Sequence, residues 1–283
     1  MRELLVPYQF EFFRNGLIVA TIAGALCGLV GVFVVQRGMS YIGHGLSHAI
    51  FGGFAVSALV GVSYFIGAGL WGIAAAFAIN GVTRRKTIGA DAAIGVVTTA
   101  SFALGLALFA VFGRAGRSFD AALFGSVLGV SSTDVLVIAG VAVAATLVVV
   151  FQYRPLLFTT FDPEVAAASG IRTARVEGLL MLILAATILS TMRVLGVTLI
   201  AATIVIPAVV ARMLTDSFGR LLVYSTIIGG ACGAIGMNLS YHADIQSGPT
   251  IVLTGASFFI VAFAVSSVRA ARRRRRPLAA LGA

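Results

Sequence analysis

The chemistry of this chain opens on His44 and His48, two of its three histidines, in the run MSYIGHGLSHAIFGG over residues 39–53. Spaced i and i+4, they share one helix face, where two neutral imidazoles can ligate a transition metal together. The run sits in a long stretch without Asp, Glu, Lys or Arg. Ionisable groups in lipid are costly and face a bundle interior or a water-filled path, so the pair points to a permeation route. The alternative is a hydrogen-bonded pair packed between helices. Gly43, Gly45, Ser47, Gly52 and Gly53 would permit a broken helix whose backbone lines a cavity, and the glycine-rich start of the stretch favours such irregularity. An intramembrane zinc protease would need a glutamate after the first histidine as its base. Gly45 stands there, which leaves water activation without an obvious agent. Ser47 and His48 are helix neighbours that point apart, a poor nucleophile and base.

Two loops carry further candidates. FDPEVAAASGI over residues 161–171 reads as a short capped helix, with Asp162 as N-cap, Pro163 at the first helical position, Glu164 on the helix dipole and Gly170 as terminator. YHADIQSGPTI over residues 241–251 offers His242 and Asp244 as ligand types at a surface mouth, although their separation suits no particular site and a solvated turn is the alternative. Asp91 reads as an N-cap, and Pro207 should kink its helix. Cys27 and Cys232 lie in apolar runs and read as packing residues.

The elements that must position these groups are membrane spans. Of 283 residues, 59% are hydrophobic and 11% charged, too few charges to cover a soluble globule. The net charge of +10 is confined to segments between apolar runs and to the C-terminus, which fits topology rather than nucleic acid. A crossing needs about 20 apolar residues for about 30 Å of hydrocarbon. Charge-free stretches occupy 15–36, 38–83, 92–113, 135–153, 178–192, 194–211, 221–243 and 245–268. Most hold one crossing; 38–83 holds either two or one plus an irregular piece. The expected fold is all-α, a polytopic bundle of eight or nine spans forming one domain over 1–283. Residues 121–133 are too short to cross and read as a re-entrant or interfacial segment packed on the bundle.

Basic residues set the orientation. With the tail 269–283 inside, including Arg269 and residues 272–276, the loops holding Arg212 and Arg220, 154–175, and residues 84–86 fall inside as well. Arg114, Arg117 and Arg193 fall outside, as does 241–250. The tail reads as topogenic and lipid-headgroup-binding. The side of the N-terminus stays open: inside with eight spans, outside with nine.

Together these pieces resemble the permease family of bacterial zinc, manganese and iron(II) ABC importers of the metal-chelate type, over nearly the whole chain. The resemblance rests, in order, on VVQRGMS at 34–40 leading into LSH at 46–48, DAAIG at 91–95, LFGSVLG at 123–129, residues 162–170, IVIP at 204–207 followed by Ala211 and Arg212, and SGPTIV at 247–252. It implies that the helix containing Asp162, Glu164 and Gly170 is a coupling helix docking into a cytoplasmic ATP-binding subunit dimer. It also implies a permease homodimer in the bacterial inner membrane and an extracytoplasmic metal-binding protein delivering the ion to the outer mouth. Many family members carry aspartate where this chain has His44. Imidazole there favours Zn(2+) over Mn(2+) as the transported ion, because manganese prefers oxygen ligands.

The leading reading is thus a permease without catalytic residues or a resident cofactor, powered by a partner. The alternative is a gradient-driven metal transporter or channel. That class places carboxylates at mid-membrane, whereas the acids here lie at span ends or in loops.

Overall fold

The computed structural model describes residues 3–84, 90–112, 123–126 and 130–279. A 3-10 helix (Glu3–Gln9) precedes eleven α-helices among these residues: α1 (Glu11–Gln36), α2 (Ser40–Val60), α3 (Tyr64–Arg84), α4 (Ala90–Phe112), α5 (Ser132–Phe151), α6 (Tyr153–Phe161), α7 (Pro163–Ala168), α8 (Thr173–Leu195), α9 (Ile200–Leu214), α10 (Phe218–Ala243) and α11 (Ser247–Ala279). Six of them, α1, α3, α5, α8, α10 and α11, are long and apolar enough to cross a membrane, and shorter apolar stretches occupy α2, α4 and α9. The stretch 38–83 therefore holds two helices, α2 and α3, and the six long spans with the three shorter apolar helices are compatible with the expected eight or nine crossings. Asp91 is the second described residue of α4, and its side chain lies outside the described residues.

α1 is the central post. It packs on α5, α8, α9 and α10, and 72% of its apolar window is buried inside the protein. Cys27 and Cys232, both buried free thiols, belong to this core, as expected of packing residues. α2, α3 and α4 form a second group that joins the first where α2 meets α8 and α9 and α3 meets α8. Large apolar side chains such as Leu136, Phe151 and Ile260 are exposed on the outside, as a lipid-facing surface requires.

The two ends of the bundle can be told apart. Tyr8 donates to the Asn238 side chain at 2.8 Å, and Phe13 stacks edge-on against Tyr241, so the start of α1 lies beside residues 241–244. The other end of α1 reaches α6 through Arg37, which donates to Thr160. The N-terminal segment and the 241–250 turn thus share one end, and α6 and α7 take the other. This shared end is the arrangement expected of an odd number of crossings.

Candidate functional site

α2 is one unbroken helix from Ser40 to Val60, against the expected break. Its glycines serve approach instead. A Cβ on Gly45 would strike Ile94 and Thr98 of α4, one on Gly52 would lie 2.6 Å from the Ser101 carbonyl, and one on Gly53 would strike Trp71 of α3. Removing side chains at these positions lets α3 and α4 close on α2 from two sides, the usual device for helices packed in lipid. Glycine costs helix stability in water, but in a bundle with every amide paired internally the helix survives intact.

His48 lies about 12 Å along this helix, which is about 32 Å long. It is half-buried, and its ring stands edge-on to Phe102 of α4 at 4.4 Å between centroids. Around it the interior is polar by membrane standards. Ser47, Thr98 and Ser101 are buried, and Trp71 donates its indole N–H to the Ser101 hydroxyl at 2.6 Å. His44 lies one turn earlier on the same α2 face by helix geometry, and its side chain falls outside the described residues.

The other proposed ligands do not join this pair. His242 and Asp244 are exposed at the far end of α10, a helix packed on α1, α9 and α11. Asp244 ends α10 in the left-handed region at φ 54°, and His242 stacks on Tyr241. They form a solvated turn. Among the described residues, no three His, Cys, Asp or Glu side chains gather as a metal cage.

The loop helix is built as its sequence foretold. The Asp162 carboxylate accepts from the Val165 amide at 2.9 Å, Pro163 opens α7, Glu164 sits exposed in its first turn, and Gly170 turns the chain at φ 80°. Of α7 only Ala166 is buried, while Val165 and Phe161 are about half exposed at 48% and 57%. A six-residue helix cannot hold itself together alone, so its caps and its seat beside α6 and α8 maintain it.

At the opposite end three sequence runs converge. Residues 123–126 lie against the α8–α9 turn and the start of α11. The Leu123 carbonyl accepts from the Thr198 hydroxyl and amide at 2.7 and 3.2 Å, the Ser126 amide donates to the Arg193 carbonyl, and the Ser247 hydroxyl donates to the Val194 carbonyl. Gly125 and Gly196 both take positive φ, and a Cβ on either would strike the other segment's backbone. The described part of this short segment, 123–126, packs on the bundle as expected, and the Leu123 and Ser126 backbone groups find the partners that irregular chain needs near lipid.

One pair here was not singled out by the sequence reading. Asp134 closes a capping box with Ser131 at the start of α5 and accepts from Arg193 at 2.6 Å. The signal was available in SSTD at 131–134, a serine followed three residues later by an acid ahead of an apolar run. Asp134 is 9% exposed and Arg193 44%, so solvent screens the pair from one side. Arg193→Ala is expected to cost about 1–2 kcal/mol, mostly by stranding the carboxylate. A melting curve of the detergent-purified protein should fall by about 2–5 °C.

The fold defines the class: a polytopic, all-helical transport protein with a capped helix exposed at one end and an imidazole pair on an inner helix. The chain belongs to the ABC 3 transport family, which it matches over residues 9–266. It is therefore the membrane permease subunit of an ABC transport system, with ATP hydrolysis on a separate chain. It is 35% identical over 255 residues to the manganese transport system membrane protein MntC of Halalkalibacterium halodurans, covering 90% of this chain and 87% of that one. It is 29% identical to the chelated iron transport system membrane protein YfeD of Yersinia pestis, covering 95% and 90%. Among solved structures, PsaBC from Streptococcus pneumoniae in complex with Fab superposes with a TM-score of 0.84 at 34% identity, covering 93% of this chain and 95% of that one.

Proposed function

We propose that this chain, as one transmembrane domain over 1–283, carries a divalent first-row metal inward across the bacterial cytoplasmic membrane, past the α2 face bearing His44 and His48. The observation that supports this most is His48 itself. An imidazole sits half-buried near the middle of a lipid-embedded helix whose neighbouring turn carries a second one. Such a group desolvates a passing cation without trapping it, since two nitrogen ligands leave most of the coordination shell to water or other donors. Each carboxylate among the described residues lies in the first two turns of a helix or between helices, and the buried one, Asp134, is held by Ser131 and Arg193 at the start of α5, so none of them stands mid-helix to exchange protons with the ion. That arrangement calls for an external energy source, and nothing favours the gradient-driven alternative.

In this reading α7 docks into a cytoplasmic ATPase dimer, with Asp162 and Gly170 holding its ends and Glu164 on its exposed face. A second copy of the permease completes the path. An extracytoplasmic metal-binding protein delivers the ion at the end that bears residues 241–250, where His242 and Asp244 meet it in solvent. The tail 269–283 meets lipid headgroups.

The relatives are named for manganese and iron, whereas two imidazoles lean toward zinc ahead of manganese. Competitive uptake of radioactive zinc, manganese and iron(II) by cells lacking other importers separates these. Wild-type protein is expected to import zinc in preference to manganese, and His44→Asp to move the ratio toward manganese by about tenfold. Manganese preferred by the wild type, with no change in His44→Asp, would refute the zinc assignment. No uptake of any of the three would refute the importer itself.

A further inference from the structure

α1 ends in a tight elbow of three residues, 37–39, before α2 begins. The amides of Gly38 and Met39 return to the carbonyls of Val35 and Val34 at 3.1 and 2.9 Å, with Gly38 in the left-handed region at φ 65°. This paired closure is the Schellman arrangement, in which glycine at the left-handed position avoids the Cβ penalty. Among the described residues nothing lies within 4 Å of where a Gly38 Cβ would be, so the elbow has room to turn. α1 itself is locked among four helices, while α2 carries His44 and His48 away from the elbow.

Arg37 caps that elbow and reaches across to the other one. Its Nε donates to the Thr160 hydroxyl at 3.2 Å, and Thr160 lies in the last turn of α6, two residues before the Asp162 cap of α7. The contact is only partly made. The Arg37 Nη2 and the neighbouring Thr159 hydroxyl are both buried with no hydrogen-bond partner among the described residues. Burial pulls the guanidinium below the ordinary arginine range, and the charge of Glu177 on α8 partly restores it. A buried donor left unpaired costs free energy, and a native fold that keeps one has a use for it.

We propose that Arg37 is a positioning residue that passes movement of the α6–α7 elbow to α2, its guanidinium holding Thr160 in this conformation and re-pairing toward Glu177 in the other. Because α1 is held, a pull on Arg37 is released at Gly38 and swings the first turns of α2. An Nη2 with no partner among the described residues is what a group with two sets of partners shows when one set is incomplete. Such a two-position contact is the physical requirement for coupling between distant sites.

This inference rests on the importer reading, and its test keeps the two apart. The permease is assembled in liposomes with its ATPase and metal-binding protein, and ATP hydrolysed per zinc or manganese ion imported is measured. Arg37→Gln is expected to raise that ratio about fivefold or more, with ATPase turnover within about twofold of wild type. Thr160→Val, a near-isosteric loss of the acceptor, should shift it in the same direction by about twofold, and Arg37→Lys should recover part of the loss. A purely structural arginine would lower uptake and ATPase together, in proportion to the complex lost, and that result in Thr160→Val overturns the relay. An unchanged ratio in both variants overturns it too. If Arg37→Gln does not accumulate, Thr160→Val decides. If the wild type imports no divalent metal, the importer reading is what fails; wild-type import with unaltered variants removes the relay alone.

Discussion

Replacing His48 by glutamine is expected to slow metal uptake by about tenfold or more while leaving the amount of permease in the membrane unchanged. Glutamine keeps much of the side-chain length and a polar end, so packing on Phe102 and the neighbouring helices is largely retained. What goes is the soft nitrogen donor. A cation moving through the bundle gives up part of its water shell, and each missing ligand leaves that cost uncompensated at the highest point of the path. Loss of about 1.4 kcal/mol at that point is already tenfold in rate. His48→Ala should be at least as slow, and Phe102→Leu, which disturbs the ring contact but keeps the imidazole, should remain within about threefold of wild type. Uptake of radioactive zinc and manganese is read against immunoblots of washed membranes. Normal uptake in His48→Gln would take the imidazole off the path, and equal slowing in Phe102→Leu would reduce its role to packing.

How far the sequence reached depended on the range of each signal. α7 was legible almost atom by atom, because an N-cap aspartate, a proline at the first helical position and a terminal glycine act within a few residues of chain. Spans were legible for the same reason: hydropathy is a property of the segment. The glycines of α2 were misread because their partners, Ile94, Thr98, Ser101 and Trp71, lie on other helices, and a glycine looks the same whether it breaks a helix or admits a neighbour. The clamp formed by residues 123–126, the α8–α9 turn and Ser247 escaped for a related reason, since three runs far apart in sequence meet only after folding. Arg37 stood in plain sight within VVQRGMS, yet nothing local distinguishes an arginine that orients a span from one that grips Thr160. Of the ligand candidates, His44 and His48 lie one turn apart on the continuous helix α2, and His242 and Asp244 sit at the end of α10, which packs on α1, α9 and α11.

The firmest consequence of the fold concerns α1, where Gly28→Val is expected to leave under about a fifth of the wild-type yield of folded, monodisperse protein. α1 and α10 meet backbone to backbone. A Cβ on Gly24 would strike the Gly229 carbonyl, one on Gly28 the Ser225 carbonyl, and one on Gly233 the Ala20 carbonyl. The Ser225 hydroxyl donates to the Gly28 carbonyl at 2.6 Å, and Ser225 is wholly buried. In lipid no hydrophobic effect pushes helices together, so close packing and such interhelical hydrogen bonds must hold them. A valine facing a carbonyl rather than a flexible side chain cannot be accommodated by a rotamer change, and the two helices must separate. Overpacking alone costs about 1–3 kcal/mol in a core that can yield. Here the Ser225 bond is lost as well, and the neighbouring Gly31 contact with the Ile204 carbonyl of α9 moves with it, so the total consumes most of an ordinary protein's margin. Gly229→Val should do the same from the other helix. Gly140→Val, on the exposed face of α5 where a Cβ meets nothing, provides the matched control and is expected to melt within about 2 °C of wild type in detergent. Equal yields and melting points for Gly28→Val and Gly140→Val would mean that α1 and α10 slide freely past each other. The fixed post on which the α2 elbow turns would then have to be sought elsewhere.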